Sequence, residues 1–377
     1  MSAWPGKFVI GLTGNIATGK SVVRKMLEHL GAYGIDADAL GHRAIAKDAP
    51  GYKTVVDTFG KWILSPDGQI DRAKLARVVF SDPEALTQLE SIVHPLVRQA
   101  VDLLIRRSSQ KVIVVEAIKL LEGPLRQACD TIWVTFAPKS TQISRLTSKR
   151  GLSVAVAHQR INSQLPQSEK VNVANTVIQN EGSFEDTWLQ VTKAWKELFP
   201  TFESGAYKPV TITKTGLLVE KARPRHAGEI ASLVSRLSGG RVKPTDEDIM
   251  AAFGEKAFLF LKMDGVPVGV VGWQVENLVE RTDDVYIDPD QPLTNAMQAV
   301  LTEIESTSRD LQCEIALLFL PPELTTQEEI WTSLGYEMCT VESLGVRAWQ
   351  EAAQETLGKG ETMFFKQLRK DRVLRPV

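Results

Sequence analysis

The sequence predicts two consecutive α/β units, the first built on a parallel sheet and the second on a mixed one. Three observations carry this. Residues 8 to 195 alternate short β-rich runs with long amphipathic stretches, the pattern of strand–helix–strand crossovers. Within the first crossover, Gly14 to Ser21 reads G-x-x-x-x-G-K-S, a glycine loop between an apolar run and a helix. The stretch Phe199 to Gly216 is rich in Pro, Gly, Ser and Thr and has no helical period, and a different pattern follows it. The expected division is 1–200, a linker at 201–215, and 216–377.

The elements follow in order. "FVIGLTG" is a strand and Gly19 to Leu30 a helix. "GAYGIDADAL" is a short apolar step ending in two carboxylates. From Lys74 to Arg107 a helical period runs on, broken near Asp82-Pro83, where an N-capping residue meets a proline suited to a first helical position. "KVIVVEA" and "TIWVTF" are the next strands. Beyond the linker come a strand and helix in "GLLVEKARPRHAGEIASLVSRL" and a hairpin turning on Asp264-Gly265. A strand "DDVYID", a helix Pro292 to Arg309, a strand "EIALLFL", a helix Thr325 to Leu334 and a closing strand "ETMFFKQL" complete the chain.

The composition narrows the class. The chain has 377 residues, 43% hydrophobic and 24% charged, which suits a globular protein of two ordinary domains. Forty-four Lys and Arg against 46 Asp and Glu leave no basic field for a nucleic-acid partner. Cys129, Cys313 and Cys339 are scattered, without zinc or disulfide spacing, as expected of a cytoplasmic protein. No apolar run reaches membrane-spanning length, and "MSAWPGK" leads straight into a strand, so neither a membrane partner nor a signal peptide is expected.

The chemistry is concentrated in the first half. The glycines of "GNIATGKS" let successive backbone N–H groups point inward, and the helix behind them adds its positive end. Gly14, Asn15, Ile16, Ala17, Thr18, Gly19, Lys20, Ser21 and Val22 are therefore the expected nucleotide-binding run. Lys20 reaches the β- and γ-phosphates and counts among the catalytic groups, and the Ser21 hydroxyl is the expected Mg²⁺ ligand. Asp36 and Asp38 can hold a hydroxyl acceptor and take its proton; the competing reading is a helix N-cap. Glu116, closing the second strand, is expected near the Mg²⁺ ligands and the acceptor, against a plain solvated strand end. Arg145 and Arg150 can close over the transferring phosphoryl group, against an ordinary exposed basic helix face.

These residues, with "DADALGH", "DGQIDRAKLARVVF", "LESIVHPLV" and "RLTSKRGLSVAVAHQRINSQLP", carry a resemblance to the dephospho-CoA kinase family over about residues 8–195. The resemblance implies a P-loop NTPase fold with a helical substrate insertion (about 67–107) and a lid (about 140–167). It implies phosphoryl transfer from ATP to the ribose 3′-hydroxyl of dephospho-CoA. Asp38 would then activate the acceptor, Arg145 would be the lid arginine nearest the phosphates, and His94, with Asp36 and Glu116, would line the acceptor site. Asn180 would stand on the adenine side. This chain departs from the family's pattern at Asn15 and Ala17, at "IKLLE" (118–122) where P-L-L-F-E is common, and at Gln179-Asn180 where D-N is usual. A kinase of another small acceptor and a nucleotide-gated module are the competing functions.

From Leu217 to Arg369 the order of elements resembles a GNAT-type N-acetyltransferase, with "SLGYE" and the closing strand in place. That family's glycine-rich pyrophosphate loop is absent: Asp288 to Val300 contains no glycine, and Pro289 and Pro292 each lack a backbone donor. A domain of non-catalytic role is expected. Oligomeric state is not legible.

Overall fold

The computed structural model describes residues 3–201, 210–212 and 216–374. The first half contains five strands: β1 (Phe8–Gly14), β2 (Tyr33–Asp36), β3 (Val112–Glu116), β4 (Thr131–Phe136) and β5 (Thr176–Gln179). They pair in the order β2-β3-β1-β4-β5, all parallel. Such a sheet is covered on both faces, which explains why β1 and β3 read as unbroken apolar runs. Every residue of β3 is buried, and so are the last six of β1.

The helices between them are α1 (Lys20–His29), α2 (Ala37–Ala44), α3 (Tyr52–Phe59), α4 (Arg72–Ser81), α5 (Pro83–Arg107), α6 (Lys139–Arg150), α7 (Val154–Asn162), α8 (Gln167–Asn172) and α9 (Phe184–Leu198). The break expected at Asp82-Pro83 is real. α4 stops at Ser81, and the Asp82 carboxylate caps α5 by accepting from Glu84 N at 2.9 Å, with Pro83 in the first turn. α3, α4 and α5 form the insertion, held by its own apolar cluster around Val55, Ile63, Ile70 and Leu75. α6 and α7 form the lid, packed on Leu146, Ala157 and Ile161.

The second half is an eight-stranded mixed sheet with helices on its faces. Its strands are β6 (Val210–Ile212), β7 (Leu217–Lys221), β8 (Ala257–Met263), β9 (Val266–Glu276), β10 (Val279–Ile287), β11 (Ile315–Leu320), β12 (Glu337–Cys339) and β13 (Thr362–Gln367). They lie in the order β12-β13-β11-β10-β9-β8-β7-β6, and only β10 and β11 pair in parallel. The hairpin at Asp264-Gly265 is present, both residues having positive φ. Its helices are α10 (Ala227–Leu237), α11 (Asp246–Ala252), α12 (Leu293–Asp310), α13 (Pro322–Thr325), α14 (Glu328–Ser333) and α15 (Arg347–Thr356). The helix expected from Thr325 to Leu334 is the shorter α14, and α13 is a separate turn before it.

The halves share a core. Leu278, at the tip between β9 and β10, is buried in the cluster that contains Trp4, Tyr33, Leu40 and Val101 of the first half, with Leu311, Val373 and Leu374 packed against it. The linker residues 202–209 and 213–215 lie outside the described residues.

Candidate active site

The glycine loop leaves the carboxyl end of β1, the central strand, where open α/β sheets place their ligands. Two of its glycines are required by close approach. A Cβ on Gly14 would stand 2.3 Å from Thr135 Oγ1, and one on Gly19 would stand 1.8 Å from Asn180 Nδ2. Gly19 also has φ +88 and leads into α1 without a side-chain cap, so the helix turns its positive N-terminal end toward the loop. Ala17 takes the left-handed conformation at φ +60, which costs a non-glycine residue about 1–2 kcal/mol.

The loop is held from several sides. Thr18 Oγ1 bonds to Asn15 O at 2.8 Å and to Thr135 Oγ1 at 2.7 Å. The Asn15 amide donates to Leu165 O at 2.9 Å, and Ile16 N donates to Gln164 Oε1 at 2.8 Å, which ties the loop to the foot of the lid. The Val22 side chain packs against the apolar core behind α1, so what Val22 offers the loop is its backbone. The Asn180 amide is occupied at both ends, donating to Thr18 O at 2.9 Å and accepting from Thr187 Oγ1 at 3.1 Å. Asn180 thus supports the loop from below. Arg145 donates to Ala17 O at 3.2 Å and to Asn180 O at 2.9 Å, so the lid arginine does lie on the loop. The Arg150 side chain lies outside the described residues.

Behind the loop stand the acids. Glu116, at the end of β3, is buried; it accepts from Ser21 Oγ at 3.0 Å and from Arg24 Nε at 2.8 Å. It therefore belongs with Ser21 and not with a solvated strand end. Burial works against the charge on Arg24, but Glu28 and Glu116 outweigh it and raise the guanidinium's pKa. Asp36 caps α2, its Oδ1 accepting from Ala39 N at 2.9 Å, so the capping reading holds for this carboxylate. Burial, reinforced by Glu116, lifts Asp36 from 3.8 to about 6.

Asp38 is different. It sits in the first turn of α2, and its Oδ2 accepts from the Ile118 amide at 3.0 Å. Burial raises its pKa, while the Ile118 amide and the Lys20 charge pull it back. A proline at 118 would have no N–H to give this bond. The sequence reading missed Lys170. Its side chain is buried, and its Nζ donates to Ile118 O at 2.8 Å, the same carbonyl that takes Thr13 Oγ1 at 3.1 Å. Burial first, then Lys20, lowers it to about 8. Nothing in "SEKVN" marks this lysine; only the packing of α8 beneath the 118 loop does. His94 is exposed on α5, and among the described residues no hydrogen bond joins it to Asp36, Asp38 or Glu116.

A parallel sheet ordered 2-3-1-4-5, a phosphate-shaped glycine loop on its central strand, a lysine and serine in that loop and a lid arginine upon it define a P-loop phosphotransferase. The family model for dephospho-CoA kinase matches residues 8–186. The dephospho-CoA kinase of Geobacter metallireducens is 42% identical over 192 residues, covering 50% of this chain and 96% of that protein. That of Aquifex aeolicus is 43% identical over 190 residues, covering 50% and 96%. The chain belongs to the dephospho-CoA kinase family and is an enzyme of that family. The second half has GNAT acetyltransferases among its structural neighbours. One from Staphylococcus aureus covers 41% of this chain and 99% of its own at a TM-score of 0.33 and 8% identity.

Proposed function

We propose that the chain transfers the γ-phosphoryl group of ATP to the ribose 3′-hydroxyl of dephospho-CoA. The observation that carries this is Asp38: a carboxylate anchored by one oxygen to the Ile118 amide, with Lys20 and Lys170 as its neighbouring cations. Asp38 takes the proton of the 3′-hydroxyl as that oxygen bonds to the γ-phosphorus. The bond from the γ-phosphorus to the β–γ bridging oxygen breaks, and ADP leaves with the electron pair. Lys20 and the backbone amides at the start of α1 hold the phosphates, and Arg145 approaches them from the lid. Ser21 Oγ and the Glu116 carboxylate converge at 3.0 Å and are hard oxygen donors of the kind Mg²⁺ takes. Ser21 would hold the ion, which when bound screens the phosphate charge. Asp36 and His94 remain candidates for the acceptor side.

For the second half we propose a non-catalytic role. What supports it is the loop before α12. Pro289 and Pro292 have no donor, Asp290 N is spent on Asp288 Oδ1 at 3.1 Å, and Gln291 N on Asp288 O at 2.9 Å. Little backbone is left there to cradle a pyrophosphate. The whole enzyme is expected in the cytoplasm, where ATP is supplied; among the described residues no helix is long and apolar enough to cross a membrane.

The test is product analysis with Mg-ATP and dephospho-CoA, run beside nucleoside monophosphates as acceptors. CoA and ADP in equal amounts are expected only with dephospho-CoA. Asp38→Asn should reduce turnover at saturation by about 100- to 10,000-fold with ATP binding retained. Phosphorylation of another acceptor in preference, or ATP hydrolysis with none, would overturn the reading.

A further inference from the structure

The elements that carry the chemistry are gripped by the second half of the chain. Lys25, on the helix that begins with Lys20 and Ser21, donates to Val275 O at 2.6 Å. The Tyr33 hydroxyl, on β2, donates to Leu311 O at 3.2 Å. Arg43 lies on α2, five residues beyond Asp38. Its guanidinium donates to Glu314 Oε2 at 2.6 Å and to the carbonyl of Asn277. Both ends of the Arg43–Glu314 pair are buried, at 8% and 1% side-chain exposure. Truncating one partner of such a pair leaves the other charge without its counterion, which is the costly outcome.

The tip that reaches Arg43 is strained. Asn277 and Leu278 form a two-residue turn closed by the Glu276–Val279 pair, with φ of +52 and +63. Leucine is poorly suited to the second position of such a turn, where glycine fits without penalty. Its side chain is what the position gains: Leu278 is buried among Tyr33, Leu40 and Val101. Glu314 is itself fixed, accepting from Trp349 Nε1 at 3.2 Å, while its own N–H donates to Leu278 O at 2.8 Å. A rigid, strained tip thus presses on β2 and α2 from behind.

We infer that Glu314 and the Asn277–Leu278 tip are positioning elements of the kinase: acting through Arg43, they set α2, and with it Asp38, at the reach needed for proton transfer. This rests on the reading of Asp38 as the acceptor's base. It assigns the second half a part in phosphoryl transfer that needs no ligand of its own.

The full chain is assayed with Mg-ATP and dephospho-CoA as Glu314→Gln and, separately, as Arg43→Met, so that one soluble variant suffices. Each is expected to lower kcat roughly 10- to 100-fold, the scale of a small misplacement of a reacting group, with the KM for ATP within twofold of the parent. Lys366→Met, which removes a buried-acid contact to Glu305 elsewhere in the second half, is the stability control and should keep kcat. The decisive measurement is the double variant with Asp38→Asn. If Glu314 works through Asp38, its effect shrinks below about twofold in that background, because coupled residues are not additive. An undiminished effect there, or kcat within twofold of the parent in the single variants, overturns the inference and leaves the kinase reading standing. Full turnover in Asp38→Asn alone removes both.

Discussion

Lys170 combines a cost in folding with a place beside the chemistry. Its ammonium is buried and its pKa depressed to about 8, so below that value the charged form opposes folding. Its contact to Ile118 O duplicates one already made by Thr13 Oγ1. Lys170→Met should therefore leave the melting temperature unchanged or raise it, since the methionine stem fills the same space and Ile118 O keeps a donor. Turnover should fall about 100-fold, the scale of losing one positioned charge-stabilising group. Because the Lys170 charge also lowers the Asp38 pKa, the acid limb of the kcat profile should move to higher pH. A variant that loses stability but keeps both turnover and profile would show a packing lysine. At this scale the loop with its Lys20 and Ser21 was readable because its spacing reflects local geometry. Lys170 and the contacts of Asn180 were not, because their partners, Ile118 and Thr18, lie 52 and 162 residues away.

The element most exposed to pH is α2. Asp36 caps it while sitting close to Glu116, and the carboxyl is raised from 3.8 to about 6. Between those values the folded chain keeps a proton that the unfolded chain has released, so this group makes stability fall as pH rises from about 4 to about 6. Asp36→Asn keeps an oxygen for Ala39 N and removes the charge. Calorimetric melting from pH 4.5 to 7.5 should show the variant gaining on the parent as pH rises to about 6 and holding that gain above it. Parallel curves would mean that Asp36 is ionised throughout. Among the elements themselves, β10 was read only in its second half, and α3, α11 and α15 were not read at all. Its first half is Val279-Glu280-Arg281-Thr282, and two charges in a buried strand hide it from a period-2 search. Tertiary pairing tolerates them: Arg281 meets Glu276 at 2.9 Å, and Glu280 takes the Thr282 hydroxyl at 2.6 Å.

At the scale of the molecule, the shared cluster around Leu278 means that the two sheets do not have separate cores on that side. Unfolding followed by calorimetry should show one transition. Leu278→Ala, in the second half, should shift all of it, at a cost of about 2–5 kcal/mol for a buried leucine. Two resolved transitions, with only the later residues affected, would show that the halves melt independently and that the contact is weak.

By itself the sequence determined the phosphate loop, the two-part grammar, the break at Asp82-Pro83 and the hairpin at Asp264-Gly265. Each is written in residues adjacent along the chain, where backbone freedom, capping and alternation act directly. The tertiary structure decided what each acid bonds to. Asp36 and Asp38 are two residues apart and look interchangeable in sequence. The turn of α2 sends one back onto its own helix end and the other to the Ile118 amide. It also decided that Arg43, one basic residue among 44 lysines and arginines, is one of the points where the second half takes hold of the first. A buried ion pair between residues 271 apart leaves no local trace in either segment, because what makes it is the exclusion of water when two distant surfaces meet.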